Sequence, residues 1–281
     1  MEGLVRRVCP LSWEEIEVSV RRVLGQAKNG SAPGPDGIGY RLIKAVQNTH
    51  LGCEPVEEVV DNLARGVILP AWREMRVVFI PKRVRDLTLA KNWPPLNLIN
   101  CREKFGEKVV ADRIQDFSGD LFHHLQFGSV SGRSAVVMLY LSVVRVRRCI
   151  EQEGIVGWGF WNMKGGFQNV VWLKVLDYLV RVEVTRGLCG WVGEFVAGRT
   201  FEMSWDGKVR GVGTSSKGVP QGFPLSHVLL LVWMVPILRG MERPIVEEVQ
   251  GVGVEFPSYV DDLHCRLYVG RRGVGGLYVV G

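Results

Sequence analysis

SYVDDLH, residues 258–264, sets two carboxylates, Asp261 and Asp262, side by side within an apolar, aromatic stretch. Adjacent like charges repel, and the interior of a strand is a poor place for them. The flanks resolve the conflict. VGVEFPSY before the acids and LHCRLYV after them read as two strands, so a hairpin is predicted with Val260, Asp261 and Asp262 at its turn. Acids at such a turn are raised out of the sheet, where they can meet solvent or an ion. A site for divalent cations would ask for a further carboxylate, and this stretch does not contain it.

The chain around the hairpin has 281 residues, enough for one large domain or two small ones with a sizeable core. Hydrophobic residues make up 47% and charged residues 23%, which excludes a disordered polypeptide. The net charge of +6 permits an acidic partner such as nucleic acid without requiring one. Six scattered cysteines, with no CxxC pair and no Cys/His cluster, argue against zinc and against a disulfide framework. The N-terminal MEGLVRRVCPLSWEE lacks the long apolar core of a signal peptide, so an intracellular protein, nuclear or cytoplasmic, is expected. The longest apolar run, Leu225 to Leu238, is 14 residues, which reads as a buried helix too short to span a bilayer.

Helix and strand signals alternate without internal repeats. Ser12 to Glu15 is a capping-box pattern, and Ile16, Val20, Val23, Leu24 and Ala27 follow at helical spacing. That helix stops at the Gly/Pro loop NGSAPGPDG, 29–37. Short helices are expected over 40–48 and 56–65, then a buried strand VVFIPK ending in Lys82, then an exposed basic loop over 83–97. Phe105, Val109, Val110, Ile114 and Phe117 form the apolar face of a further helix, and 134–151 forms another. GIVGWGFWN, 154–162, reads as a strand entering the core, followed by a helix over 170–180 and a hairpin turning at Asp206-Gly207. GVPQGFPLS, 218–226, is a loop leading into the apolar helix. The glycine-rich RRGVGGLYVVG, 271–281, is not expected to pack well.

The order of these segments resembles the reverse transcriptase domain of non-LTR (LINE-type) retrotransposons. The matching stretches are APGPDGI, WREMRVVFIPK, KNWPPLNLIN with CREKFGEKVVADRI, QFGSVSGRSA, FWNMKGGFQNV, GVPQGFPLS and YVDD, in the family's order. The resemblance implies an α+β fold of the right-hand polymerase type, an antiparallel palm sheet backed by helices, with the thumb missing because the chain ends 19 residues after Asp262. It divides one reverse transcriptase-like domain into a fingers-like region 1–155, a palm-like region 156–270 carrying YVDD, and the tail. The implied activity is template-directed nucleotidyl transfer by two magnesium ions, manganese being a possible substitute. An RNA template, a DNA primer and deoxynucleoside triphosphates are the implied partners, with no membrane.

Residue by residue, the resemblance places Asp261 and Asp262 as metal ligands, with Asn162 at the third catalytic position. There the family writes D-(I/V/L)-K-G-A-F-D and this chain has Asn162-Met-Lys-Gly-Gly-Phe-Gln168. Both acids have become amides. Asn162 offers a neutral oxygen but brings no charge to a site meant for two divalent cations. Phe167 matches the aromatic that excludes a ribose 2′-hydroxyl, although an aromatic after two glycines also reads as core. Gly165 and Gly166 would let backbone N–H groups approach a triphosphate. Gln221 matches the residue that contacts the incoming nucleotide, and Lys82 a fingers lysine near the phosphates. The family's arginine in Y-R-P-I is Pro94, which cannot supply a guanidinium fork. Arg83, Arg85, Arg145, Arg147 and Arg148 are candidates for phosphate contact, with a merely solvated basic face as the plainer reading. The expectation is therefore an impaired or inactive polymerase domain; a non-catalytic nucleic-acid-binding remnant and an unexpressed retroelement fragment are the alternatives.

Overall fold

The structure is a computed structural model that describes residues 12–47, 49, 53–82, 85–116, 121–205, 208–215, 217–248 and 252–269. The Asp206-Gly207 turn, Arg83, Phe117 and the 271–281 tail lie outside the described residues. In chain order the helices are α1 Trp13–Gln26, α2 Tyr40–Val46, α3 Cys53–Arg65, α4 Cys101–Asp116, α5 Ala135–Glu151, α6 Trp172–Arg181, α7 Arg186–Val196 and α8 Pro224–Glu248. The strands are β1 Glu74–Phe79, β2 Pro95–Leu98, β3 Ile155–Asn162, β4 Arg199–Trp205, β5 Lys208–Ser215, β6 Val252–Glu255, β7 Ser258–Tyr259 and β8 Asp262–Val269. The fold is α+β.

The chain divides into two compact units that interleave along the sequence: residues 1–117 with 167–226, and residues 118–166 with 227–281. The first unit carries a sheet ordered β2-β1-β4-β5, in which β1 runs antiparallel to β2 but parallel to β4. The hairpin expected around 206–207 is present, with Trp205 opposite Lys208. The second unit carries the antiparallel sheet β3-β8-β6, with β7 also paired to β8.

Local chemistry accounts for most element ends. Ser12 caps α1 with the complete box: Ser12 N–H donates to Glu15 Oε2 at 2.9 Å and Glu15 N–H donates to Ser12 Oγ at 3.2 Å. Pro224 opens α8, where its missing N–H costs nothing. Two expectations need correction. Lys82 does not end a strand: β1 stops at Phe79, because Pro81 cannot donate to the ladder, and only irregular pairing continues through Lys82 N–H to the Asn92 carbonyl at 2.9 Å. Residues 95–98, expected in a loop because of two prolines, form strand β2. The reason is position, since β2 is an edge strand and Pro95 its first residue, a place where proline is tolerated.

The apolar run after GVPQGFPLS also behaves differently from its sequence length. Helix α8 is 25 residues long, and its Pro224–Met241 stretch, with mean hydropathy 1.5, is long and apolar enough by length and composition to cross a membrane. Leu225, Leu229, Leu230, Leu231, Val232 and Leu238 are fully buried, so the stretch serves as a core helix.

The first unit buries a charge cluster that no periodicity announces. Arg199, 2% exposed at the start of β4, donates to Glu103 Oε1 at 2.9 Å and to Glu107 Oε1 at 3.3 Å, both on α4. Its Nε–H donates to the Phe195 carbonyl at 2.6 Å, and the guanidinium lies 4.1 Å from the Phe195 ring centre and 4.8 Å from that of Phe223. Burial pushes Glu103 up to about 7, and burial with the adjacent Glu103 carboxylate pushes Glu107 well above the carboxylate range. Glu107 also accepts the backbone N–H of Leu225, so the cluster ties α4 and β4 to the first turn of α8.

Candidate active site

The tip of the second unit's sheet is assembled by register. Strands β3 and β8 pair from Ile155 opposite Val269 to Asn162 opposite Asp262, so the last residue of one strand faces the first of the other. Asn162 Nδ2 donates to Asp262 Oδ1 at 3.0 Å, and Met163 N–H donates to the Asp261 carbonyl at 3.1 Å. Tyr259 pairs with Asp262, which leaves Val260 and Asp261 as a two-residue hairpin turn. Such turns need positive φ at their first central residue, normally glycine. Here Val260 takes φ +58°, an unfavourable conformation for a β-branched side chain that costs about 1–2 kcal/mol.

What holds the turn in that shape is the QFGSVSGRSA segment, to which the sequence reading attached no role. Ser258 N–H donates to the Leu125 carbonyl at 2.9 Å, and Phe127 N–H returns to the Ser258 carbonyl at 2.9 Å. Gln126 is fully buried, accepts from His123 N–H at 2.8 Å and donates to the Leu231 carbonyl at 2.9 Å. A Cβ added at Gly128 would sit 2.6 Å from the Val260 nitrogen. Glycine is required there by the close approach of backbone. Gly128→Ala is accordingly expected to lower stability by about 1–3 kcal/mol, measured by thermal unfolding. An unchanged Tm would mean that the turn retreats without strain and that Gly128 does not position it.

The donor set does not fit a pair of magnesium ions. The Asn162 amide turns its N–H toward Asp262, so one carboxylate oxygen is already engaged by a hydrogen bond. Among the described residues, no cluster of three or more His, Cys, Asp or Glu side chains is able to hold a metal ion. Two carboxylates and a neutral amide offer less charge than two hard divalent cations require. Next in β8, burial and the nearby Arg266 guanidinium hold His264 below its ordinary range, so it is a neutral neighbour at pH 7.

The remaining candidates are distributed between the two units. Gly165 (φ +66°) and Gly166 follow Asn162 in the second unit, and a Cβ at Gly166 would lie 3.4 Å from the Asp261 Cβ. Arg145, Arg147 and Arg148 lie on α5 in the same unit. Arg145 is ion-paired with Glu255, Arg147 with Glu151 at 2.9 Å, and Arg148 is exposed. Two of these three arginines therefore already have acid partners. Phe167, Gln221, Lys82 and Arg85 belong to the first unit. Phe167 is buried at 8% exposure, and its carbonyl accepts Val219 N–H at 2.8 Å, which docks the GVPQG loop on the 3₁₀ turn 167–169. Gln221 is exposed, with its carbonyl accepting from Asn97 Nδ2 at 3.2 Å, and Lys82 and Arg85 are exposed. Pro94 accepts Ile80 N–H at 3.3 Å through its carbonyl and carries no phosphate-binding group.

Residues 80–266 match the family model described as reverse transcriptase (RNA-dependent DNA polymerase). The chain is 24% identical over 93% of its length to the RNA-directed DNA polymerase from mobile element jockey of Drosophila melanogaster, of which it covers 28%. It is 25% identical over 79% of its length to the Pol polyprotein of the type-1 retrotransposable element R1 of Bradysia coprophila, covering 21% of it. The transposon TX1 149 kDa protein of Xenopus laevis is 21% identical over 90% of the chain, which covers 19% of that relative. The chain thus spans under a third of the length of these relatives. Among solved structures it is similar to apo telomerase from Candida tropicalis, at TM-score 0.49 and 11% identity, covering 84% of this chain and 50% of that one.

Proposed function

Because the chain belongs to the reverse transcriptase (RNA-dependent DNA polymerase) family, we propose that it is the template-reading, nucleotidyl-transferring part of a non-LTR retrotransposon polymerase, impaired at Asn162 and Pro94. Such a reaction joins a primer 3′-hydroxyl to the α-phosphate of a deoxynucleotide and releases pyrophosphate. Charge develops on the attacking and leaving oxygens, and family members meet it with divalent cations held by carboxylates. Asp261 and Asp262 occupy those ligand positions. Asn162 keeps the geometry and has lost the charge. The observation that carries this reading is the 3.0 Å hydrogen bond from the Asn162 amide to Asp262, which replaces a metal-bridged contact by a direct one. Gly165 and Gly166 after it, Phe167 and Gln221 are the proposed nucleotide contacts, and Lys82 the proposed phosphate contact.

The missing third carboxylate also favours a second reading, a domain that binds nucleic acid without turnover. Primer extension on poly(rA)/oligo(dT) with magnesium or manganese separates the two. The expected result for the natural chain is product at or near background, since one lost unit interaction at about 4 Å and dielectric 20 is worth about 4 kcal/mol, roughly a thousand-fold in rate. Robust extension that Asp261→Asn abolishes would show the amide to be tolerated and the chain to be a working polymerase.

A further inference from the structure

The first unit holds a feature outside that site. The parallel strands β1 and β4 end at the same edge of their sheet, which brings Phe79 and Trp205 together with ring centres 5.7 Å apart. Trp93, just before β2, lies 4.6 Å from Trp205, and its indole N–H is anchored on the Leu87 carbonyl at 2.8 Å. The three rings border an open groove of about 720 Å³, walled on its other side by the Ala32–Gly34 segment and floored by Val78 and Arg76. Trp205 is 41% exposed, a large apolar ring left in water at the rim of a cavity.

Cations neighbour the rings in strand register and along the chain. Lys208 stands directly across from Trp205 in the β4–β5 register, and Arg210 follows two residues along the same strand. Lys91 precedes Trp93 by two residues, and Lys82 bonds to Asn92 across from it. With Arg85, these five cations are exposed and have no acid partner among the described residues. In contrast Arg76, deeper in the groove, is held by Glu202 at 3.5 Å. Among the described residues, these rim cations have no acid partner.

We infer that the Phe79–Trp93–Trp205 groove is a stacking subsite for unpaired bases of single-stranded nucleic acid, with Lys91, Lys208 and Arg210 on its phosphates. An exposed tryptophan beside two half-buried aromatic rings, with exposed cations close by in strand register and along the chain, matches the two halves of such a strand, its base faces and its backbone. A duplex keeps its bases stacked on one another and cannot offer them to the rings, so a single strand is the occupant. Stacking on ring faces is tolerant of sequence, since every base presents a π-face. The inference rests on the nucleic-acid-handling side of the proposed function. It requires neither metal nor an intact Asn162 position.

The test uses the full chain and fluorescein-labelled 20-nucleotide oligo(dT) and oligo(U), read by anisotropy in EDTA without nucleotide, so that failure here and failure at the Asp261–Asp262 tip are separate results. Trp205→Ala is expected to weaken binding about tenfold at every salt concentration, because stacking is lost and charge is not. Trp205→Phe, which keeps an aromatic face, should stay within about threefold of the natural chain and so controls for misfolding. Lys208→Gln with Arg210→Gln should flatten the log–log salt dependence by about 1.4, from roughly 0.7 for each phosphate contact on a single strand. Blunt duplex of equal length should be unaffected by Trp205→Ala. The inference is overturned if Trp205→Ala leaves oligonucleotide affinity unchanged, if duplex binding falls in parallel, or if polyglutamate competes as well as the oligonucleotide.

Discussion

Asn162→Asp is expected to raise the affinity of the Asp261–Asp262 tip for manganese or magnesium by roughly 10²–10⁴-fold, following the Coulomb scale of one unit charge near 4 Å. The substitution acts twice. It removes the amide N–H that occupies Asp262 Oδ1 at 3.0 Å, and it adds a third anion at the end of β3, directly across the ladder. Isothermal calorimetry with manganese reads the first consequence. The second is a change in sign: without metal, a third carboxylate beside two others repels them, so the variant should unfold at a lower temperature than the natural chain. Added metal should then restore or exceed the original Tm, since it binds only the folded tip. The natural chain should show neither effect. If Asn162→Asp and Asp261→Asn both leave metal affinity and metal-dependent Tm unchanged, the acid pair is a solvated turn and the catalytic reading fails.

The second large effect concerns stability, at Arg199. Its guanidinium answers two acids, Glu103 and Glu107, that are almost wholly buried. Arg199→Met keeps the apolar stem but leaves both acids without a counter-charge, and should cost about 3–5 kcal/mol, measured by urea unfolding. The same cluster sets a pH dependence. Glu103 is raised to about 7 and Glu107 well above the ordinary value, both mainly by desolvation. An acid whose folded pKa lies above its unfolded value binds protons more tightly when folded. Its contribution is fully present below the unfolded value and is lost as pH rises through the folded one. Stability should therefore decline as pH rises from about 4.5 to about 7, the interval between the ordinary and the folded value of Glu103, by up to about 1.4 kcal/mol per pH unit for each proton released. Glu107→Gln carries its hydrogen without titrating and should flatten that decline. A urea midpoint that rises between about pH 4.5 and pH 7, or a Glu107→Gln variant with the same slope as the natural chain, would contradict the raised pKa values of the two acids.

Much of the local architecture was written in short stretches of sequence. The capping box at Ser12 and Glu15, the helix over 135–151 and the strand ending at Asn162 each follow from periodicity and end chemistry within a dozen residues. That strand does not enter the core as expected, however, since Ile155, Trp158, Phe160 and Trp161 are exposed. The YVDD hairpin was legible for the same reason, since two apolar strands around a charged turn leave little choice. The amide at position 162 could also be read directly, because motif order places it before the register is known. These are near-neighbour effects, in which the residues that decide the outcome are the residues that adopt it.

The tertiary structure alone decided what depends on distant segments meeting. Nothing in EMRVVF shows that β1 will pair in parallel with a strand more than a hundred residues on, and that pairing is what gathers Phe79 and Trp205 at one edge. The edge position of β2 made two prolines acceptable where the sequence suggested only a loop. Gly128 looks like any loop glycine until the Val260 nitrogen arrives against it. Arg199, Glu103 and Glu107 look like surface charges until α4, β4 and the start of α8 close over them. In each case the deciding energy is the removal of water from groups far apart in the chain, and a residue's own neighbours carry no record of it.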